Sequence, residues 1–252
     1  MQTDIVKVSD ADIVTDIVKR DYRTADIFQR FGIDFCGNGK LPLDMVCKNN
    51  EVNLAEIKKA LNEMSIPYYL SSSIAYNEWS IDFLLDFIVN VHHDYLKKTV
   101  PIINKFITEI AAGHNHTISF IADLKSEFDK LSTVMLPKLQ EEEDIIFPYI
   151  RQIAHAYQNT EPYARLLVRT LRKPLETMML HNQEFTNHVF NELNRITNQY
   201  SLPADSCTTH QVLYNKLQEL EKDFSQHIYL ENNVLYPKTI AMEKELLMQS
   251  GL

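Results

Sequence analysis

Two stretches of this 252-residue chain, set 89 positions apart, are variants of one pattern. Lys138-Leu-Gln-Glu-Glu142-Glu-Asp-Ile-Ile-Phe-Pro148 aligns without a gap on His227-Ile-Tyr-Leu-Glu231-Asn-Asn-Val-Leu-Tyr-Pro237. Glu142 matches Glu231, an aliphatic pair matches an aliphatic pair, Phe147 matches Tyr236, and Pro148 matches Pro237. A similar offset, 88, carries His93 onto His181. A chain that repeats in this way reads as two related helical hairpins. Each would offer a histidine from its first helix and a residue-xxx-Glu pair from its second, and two such hairpins close into a four-helix bundle.

The rest of the sequence agrees with an all-α architecture. Only 5 glycines interrupt it, and apolar residues recur at helical rather than strand spacing. Long helices are expected from about Ser80 to Glu109 (with Pro101 as a kink), Thr117 to Pro148, Pro162 to Tyr200, and His210 to Ala241. Shorter elements precede them: one capped by Asp10, one starting near Thr24 or Asp26 and stopping at Gly32, and one opened by Asn53. Periodicity fails around Pro67 to Ser73. The expected organisation is a small helical domain over residues 1–68, a linker over 69–78 and an antiparallel four-helix bundle over 79–252.

Composition narrows the function. A net charge of −9 argues against nucleic acid as the main partner, because phosphate recognition needs a basic surface. No basic stretch followed by an apolar one opens the chain, and no apolar run reaches membrane-spanning length. Cys36, Cys47 and Cys207 are odd in number and scattered, so no disulfide framework is expected and a reducing cytoplasm is the expected compartment.

The repeat carries ligand chemistry. His227 and Glu231 are four residues apart and share one helix face. Turned into a bundle core, they are costly to bury unless a cation neutralises them. Imidazole with carboxylate suits iron, manganese or zinc. One His-xxx-Glu pair is a weak signal, since most such pairs sit on solvated faces; its recurrence in frame with an aromatic-Pro ending is the stronger one. Two hairpins would bring two half-sites together, with Glu142 and Glu231 able to bridge paired ions.

At these residues the chain resembles a known family. Asp21-Tyr22-Arg23-Thr24-Ala25-Asp26, leading to Gly32-Ile33-Asp34-Phe35-Cys36, is similar to the N-terminal signature of the Repair of Iron Centres family. His93-Asp-Tyr-Leu, Glu-Glu-Asp-Ile-Ile-Phe-Pro, His181 and the run from His227 to Pro237 resemble its bundle motifs. Over nearly the whole chain, the resemblance implies an ScdA-type N-terminal domain followed by a hemerythrin-like four-helix bundle. It implies a cytoplasmic stress protein with a non-haem di-iron centre, associated with repair of iron–sulfur clusters damaged by nitric oxide or oxidants. His93, Glu142, His181, His227 and Glu231 fall on its ligand positions. Nitric oxide or dioxygen, and damaged iron–sulfur proteins, are the implied partners, and a homodimer is compatible with it. Reduction of nitric oxide is the enzymatic reading. A diatomic-gas or redox sensor without turnover is the alternative, and an interaction protein that has lost its paired centre is a third.

Two departures bear on this. Where the family places a histidine one turn before Glu142, this chain has Lys138, and the internal repeat marks the same gap opposite His227. An ammonium has no lone pair. Two irons are thus expected from the family, but one if Lys138 removes a nitrogen ligand or supplies charge in place of a metal. The family also commonly shows adjacent cysteines, whereas here Cys36 precedes Gly37 and remains a single accessory thiol. Glu184 and His188 follow His181 by one and two turns, where either would compensate for Lys138 or support a ligand histidine. His92 is expected to pack or face solvent, and His114 and His116 to lie in a surface loop. Tyr95, Tyr149 and Tyr229 read as core or rim aromatics, and Cys47 and Cys207 as small buried residues. Glu141, Glu143 and Asp144 read as mostly solvated face.

Overall fold

The computed structural model describes residues 8–35, 39–64, 74–113, 120–203 and 206–248. Cys36, His114, His116 and the expected linker as far as Ser73 lie outside the described residues. The chain divides into two compact units, residues 1–72 with 200–218, and residues 73–199 with 219–252.

The first unit contains α1 (Val14–Arg20), α2 (Thr24–Arg30), α3 (Leu43–Asn49) and α4 (Leu54–Met64). Their apolar faces, including Val14, Ile17, Phe28, Leu43, Ile57 and Leu61, are buried. Helix α2 ends where its glycine dictates. Gly32 adopts φ +71°, and the Ile33 N–H reaches back to the Phe28 carbonyl at 2.8 Å, a Schellman closure that a side chain at residue 32 would strain. The expected Asp10 cap does not form. Helix α1 begins four residues later, behind Ile13 and without a side-chain cap, beyond the reach of an Asp10 carboxylate. Asp10 instead pairs with Lys58 of α4. Lys216, on the part of α11 (Thr208–Leu230) grouped with this unit, is buried and bonds Asp26 of α2 at 2.8 Å.

The second unit is the bundle. Its first long helix joins α5 (Ile81–Phe87) to α6 (Asp94–Gly113) through a π-helical turn, Ile88–His93. The second joins α7 (Ile121–Glu141) to α8 (Phe147–Gln158) through Glu142–Ile146. After α9 (Ala164–Leu171), the third is α10 (Leu175–Ile196), and the fourth joins α11 to α12 (Tyr236–Met248) through Glu231–Leu235. Ser80 caps the first, its hydroxyl accepting from the Phe83 N–H at 3.3 Å. Neighbouring helices pack as α6 on α7, α7 on α10, α5 on α8 and α8 on α12. Leu84, Leu85, Ile150, Ile153, Leu230 and Leu235 sit in the shared core, each contributing roughly 1.5–3 kcal/mol by leaving water.

Prolines account for two differences from the expected helices. The stretch expected as one helix from Pro162 to Tyr200 is broken before Pro174, because a residue preceding proline is steered out of helical geometry. The second long helix does not stop at Pro148; it continues to Gln158. Pro148 and Pro237 each stand two residues past a π turn. A proline cannot bond the carbonyl four residues back and collides with it in a regular helix, and a widened turn just upstream relieves that collision. Pro101 lies inside α6, which runs through it. No described helix is long and apolar enough to cross a membrane.

Candidate metal centre

Among the described residues, the three π turns each carry a residue of one buried cluster. His93 is the last residue of the first turn, and Glu142 and Glu231 are the first residues of the other two. His227 precedes Glu231 by one helical turn. All four side chains are fully buried, and one ligand atom from each lies within 4.8 Å of the others. The Nε2 atoms of His93 and His227 face each other at 3.1 Å. Glu142 Oε2 stands 3.5 Å from the first and 3.9 Å from the second, and Glu231 Oε1 is 3.3 Å from His227 Nε2.

This donor set fits a cation. Glu142 Oε2 is buried with no hydrogen-bond partner, an arrangement that costs about 1–3 kcal/mol or more for a charged group. Two imidazole nitrogens and two carboxylates converge on one point, the chemistry of a divalent transition ion. The orientation of His93 is fixed from behind. Its Nδ1 meets Glu143 Oε1 at 2.7 Å, and Lys97 holds Glu143 at 2.6 and 2.8 Å. With the Nδ1 proton engaged, the Nε2 lone pair points into the site. Burial, aided by the neighbouring His227, pushes the His93 pKa down to about 3, and burial likewise lowers His227, so both rings are neutral as ligands must be.

A second group of residues surrounds the carboxylates. The Lys138 ammonium bonds Glu142 and lies 3.3 Å from Glu231 Oε2. Asn182 Nδ2 donates to the same oxygen at 3.1 Å, and the Tyr236 hydroxyl donates to Glu231 Oε1 at 3.1 Å. Burial alone would lower the Lys138 pKa, but the two carboxylates outweigh it and hold the amine charged. Burial and the neighbouring Glu231 push Glu142 up. At Glu231, burial is outweighed by Lys138 and His227, which hold that carboxyl low.

Of the ligand candidates from the sequence, His93, Glu142, His227 and Glu231 converge. His181 does not: it is exposed, and Asn182 is buried in its stead. The cause is one residue of register. The frame of the repeat is 89, which carries His93 onto Asn182, and successive helix residues point about 100° apart. Glu184 and His188 are exposed as well. His181→Ala is therefore expected to leave metal content unchanged by elemental analysis; a loss of metal would return His181 to the site.

Asn182, Tyr236, Glu143 and Lys97 join the site although residue type and spacing alone do not single them out. The first was legible in the 89-residue frame, and Tyr236 is the repeat partner of Phe147, which stacks on His93 at 5.4 Å. The acidic run reads as mostly solvated face, yet of Glu141, Glu143 and Asp144 only Glu141 and Asp144 are exposed. Glu143→Gln should weaken metal affinity by about 10–100-fold in a chelator competition, because the His93 tautomer loses its support. An unchanged affinity would show that Phe147 and the bundle alone orient the ring. His92 is buried against His227 and bonds Asp223 at 2.9 Å. Tyr149 is buried and bonds Glu243, Tyr229 is half exposed, Cys47 is buried and Cys207 half-buried.

Comparison with known proteins places this architecture. Residues 85–239, which span the whole cluster, match the hemerythrin HHE cation binding domain. The chain belongs to the hemerythrin HHE family. Ahead of its hemerythrin domain, residues 10–65 match ScdA_N, a domain of unknown function, and this pairing of domains is that of the Repair of Iron Centres family. The hemerythrin-type chain is 25% identical to the iron-sulfur cluster repair protein ScdA of Staphylococcus haemolyticus, over 90% of its own length and 96% of the relative's. It is 24% identical to the iron-sulfur cluster repair protein YtfE of Escherichia coli, over 88% and 93%. A probable iron-sulfur cluster repair protein of Haemophilus influenzae is 24% identical over 85% and 90%.

Proposed function

We propose that this chain is a non-haem iron protein of iron–sulfur cluster repair, acting in the cytoplasm under nitrosative or oxidative stress. The observation that carries the reading is the buried convergence of His93, His227, Glu142 and Glu231 around the unpartnered Glu142 oxygen. The names of the full-length relatives support the biological role. In this reading residues 1–68 form an accessory domain, joined through 69–78 to the iron-binding bundle.

Iron bound there supplies one-electron chemistry and affinity for nitric oxide or dioxygen. The protein's own residues do the rest. The imidazoles stay neutral by burial, Glu143 fixes the His93 tautomer, and the core around Phe147 and Tyr236 keeps bulk water from the ligands. Reduction of nitric oxide is one use of such a site; sensing a diatomic gas without turnover is the other.

The test begins with protein purified anaerobically without chelator. Wild type should retain iron, and His227→Ala should lose it while keeping its helical circular dichroism. The iron-loaded wild type should restore activity to a dehydratase whose iron–sulfur cluster has been damaged by nitric oxide. Consumption of nitric oxide under reductant would support turnover. Iron binding with neither restoration nor consumption would favour the sensor, and no iron after reconstitution would refute the metal reading.

A further inference from the structure

We infer that the centre holds a single metal ion, with the Lys138 ammonium and Asn182 permanently occupying the place where the repeat would have put a second. This rests on the preceding reading that the cluster binds iron. The internal repeat relates the two hairpins, so each contact has a counterpart. His93, from the first helix of one hairpin, meets His227, from the second helix of the other, at 3.1 Å. Their counterparts in the 89-residue frame are Asn182 and Lys138. These also come together, on one atom: Asn182 Nδ2 lies 3.1 Å and Lys138 Nζ 3.3 Å from Glu231 Oε2. The second half-site thus exists as a location, but it is filled by hydrogen-bond donors where the first offers lone pairs.

Three further observations agree. An ammonium cannot ligate, and the asparagine presents its N–H to the carboxylate. The π turn that ends at His93 has no counterpart around Asn182, where α10 is regular. Charge points the same way. Lys138 cancels one of the two carboxylate charges, and one divalent ion more than cancels the other. A second divalent ion would add two uncompensated positive charges to a site with no exposed ligand, which burial penalises heavily. Glu142 and Glu231 already share the Lys138 ammonium, and they would hold one metal beside it where two would otherwise sit. One of the two cations is covalently tethered, redox-inert and beyond the reach of a chelator. The protein can release no more than one iron, and its redox changes pass one electron at a time.

The decisive measurement is the iron bound per chain after anaerobic loading with ferrous iron and desalting, read by elemental analysis and by EPR after oxidation. Wild type should hold about one iron per chain, with the signal of an isolated ferric ion. The Lys138→His/Asn182→His variant should rise to about two, with the magnetic coupling of a paired site, as expected for a bundle with both half-sites furnished. About two irons in wild type would overturn this inference and leave the metal reading standing. No iron in wild type would overturn both. A folded double variant that still binds about one would overturn the assignment of Lys138 and Asn182 as the excluding residues. If that variant does not fold, the wild-type count and spectrum decide.

Discussion

Glu231→Ala is expected to empty the metal site and to lower the stability of the metal-free protein by about 3–5 kcal/mol. No other carboxylate in the cluster accepts from so many donors: half-buried Lys138 and buried Asn182 and Tyr236 all point at it, and it stands 3.3 Å from His227 Nε2. Truncation leaves the asparagine and tyrosine donors buried and unpaired, at about 1–3 kcal/mol each, and opens a void beside them. Lys138 keeps only Glu142. Because metal stabilises only the folded state, iron should raise the wild-type melting temperature and have no such effect on the variant. Urea unfolding with and without chelator, together with iron content, checks this. Retained iron would remove Glu231 from the ligand set, and a loss under 1 kcal/mol would mean that water takes over the stranded donors.

Lys138→Met should act in opposite directions on stability and on affinity. In chelator the variant holds two neighbouring buried carboxylates without their cation, a loss of up to about 3–5 kcal/mol, reduced to the extent that Glu142 takes up a proton. Once iron is bound, part of that negative charge is neutralised, so the stability deficit shrinks. By linkage, the difference must appear as tighter iron binding than in wild type. Competition against a chelator of known affinity measures it. Weaker binding in the variant would show that Lys138 shapes the ligand geometry more than it competes for its charge.

How much of this was legible in the sequence depended on register. Helix type and the two-hairpin plan follow from apolar spacing and from a repeat that runs without gaps through Glu142, Pro148, Glu231 and Pro237. That frame marks Glu142, His227 and Glu231, three of the four side chains that converge, whereas His93 stands out only through the family motif and an offset of 88. His181 is the more conspicuous ligand by residue type, but it needs an offset of 88, and the frame of 89 falls on Asn182. On a helix that single step swings the side chain from core to solvent. The break before Pro174 was written in the chain as a proline, whereas the continuation past Pro148 required knowing that the preceding turn is wide. The Glu143–His93 contact was not legible at all. It joins residues 50 apart, and nothing in an acidic run distinguishes the carboxylate that will meet a ring from those that meet water.

The wide turns also bear on how an ion gets in. None of the four converging side chains touches solvent, so capture of an ion would have to wait for a fluctuation. A π turn interrupts the regular ladder of backbone bonds, and local opening starts where that ladder is weakest. Here the interruptions coincide with His93, Glu142 and Glu231, while regular α-helix flanks each on both sides. The bundle can therefore breathe at the height of the site while its ends stay zipped. Amide protons at Glu142–Ile146 and Glu231–Leu235 should exchange ahead of their helical neighbours in the metal-free protein and slow once iron is in place. The rate of loading would then follow that local opening and not the unfolding of the domain.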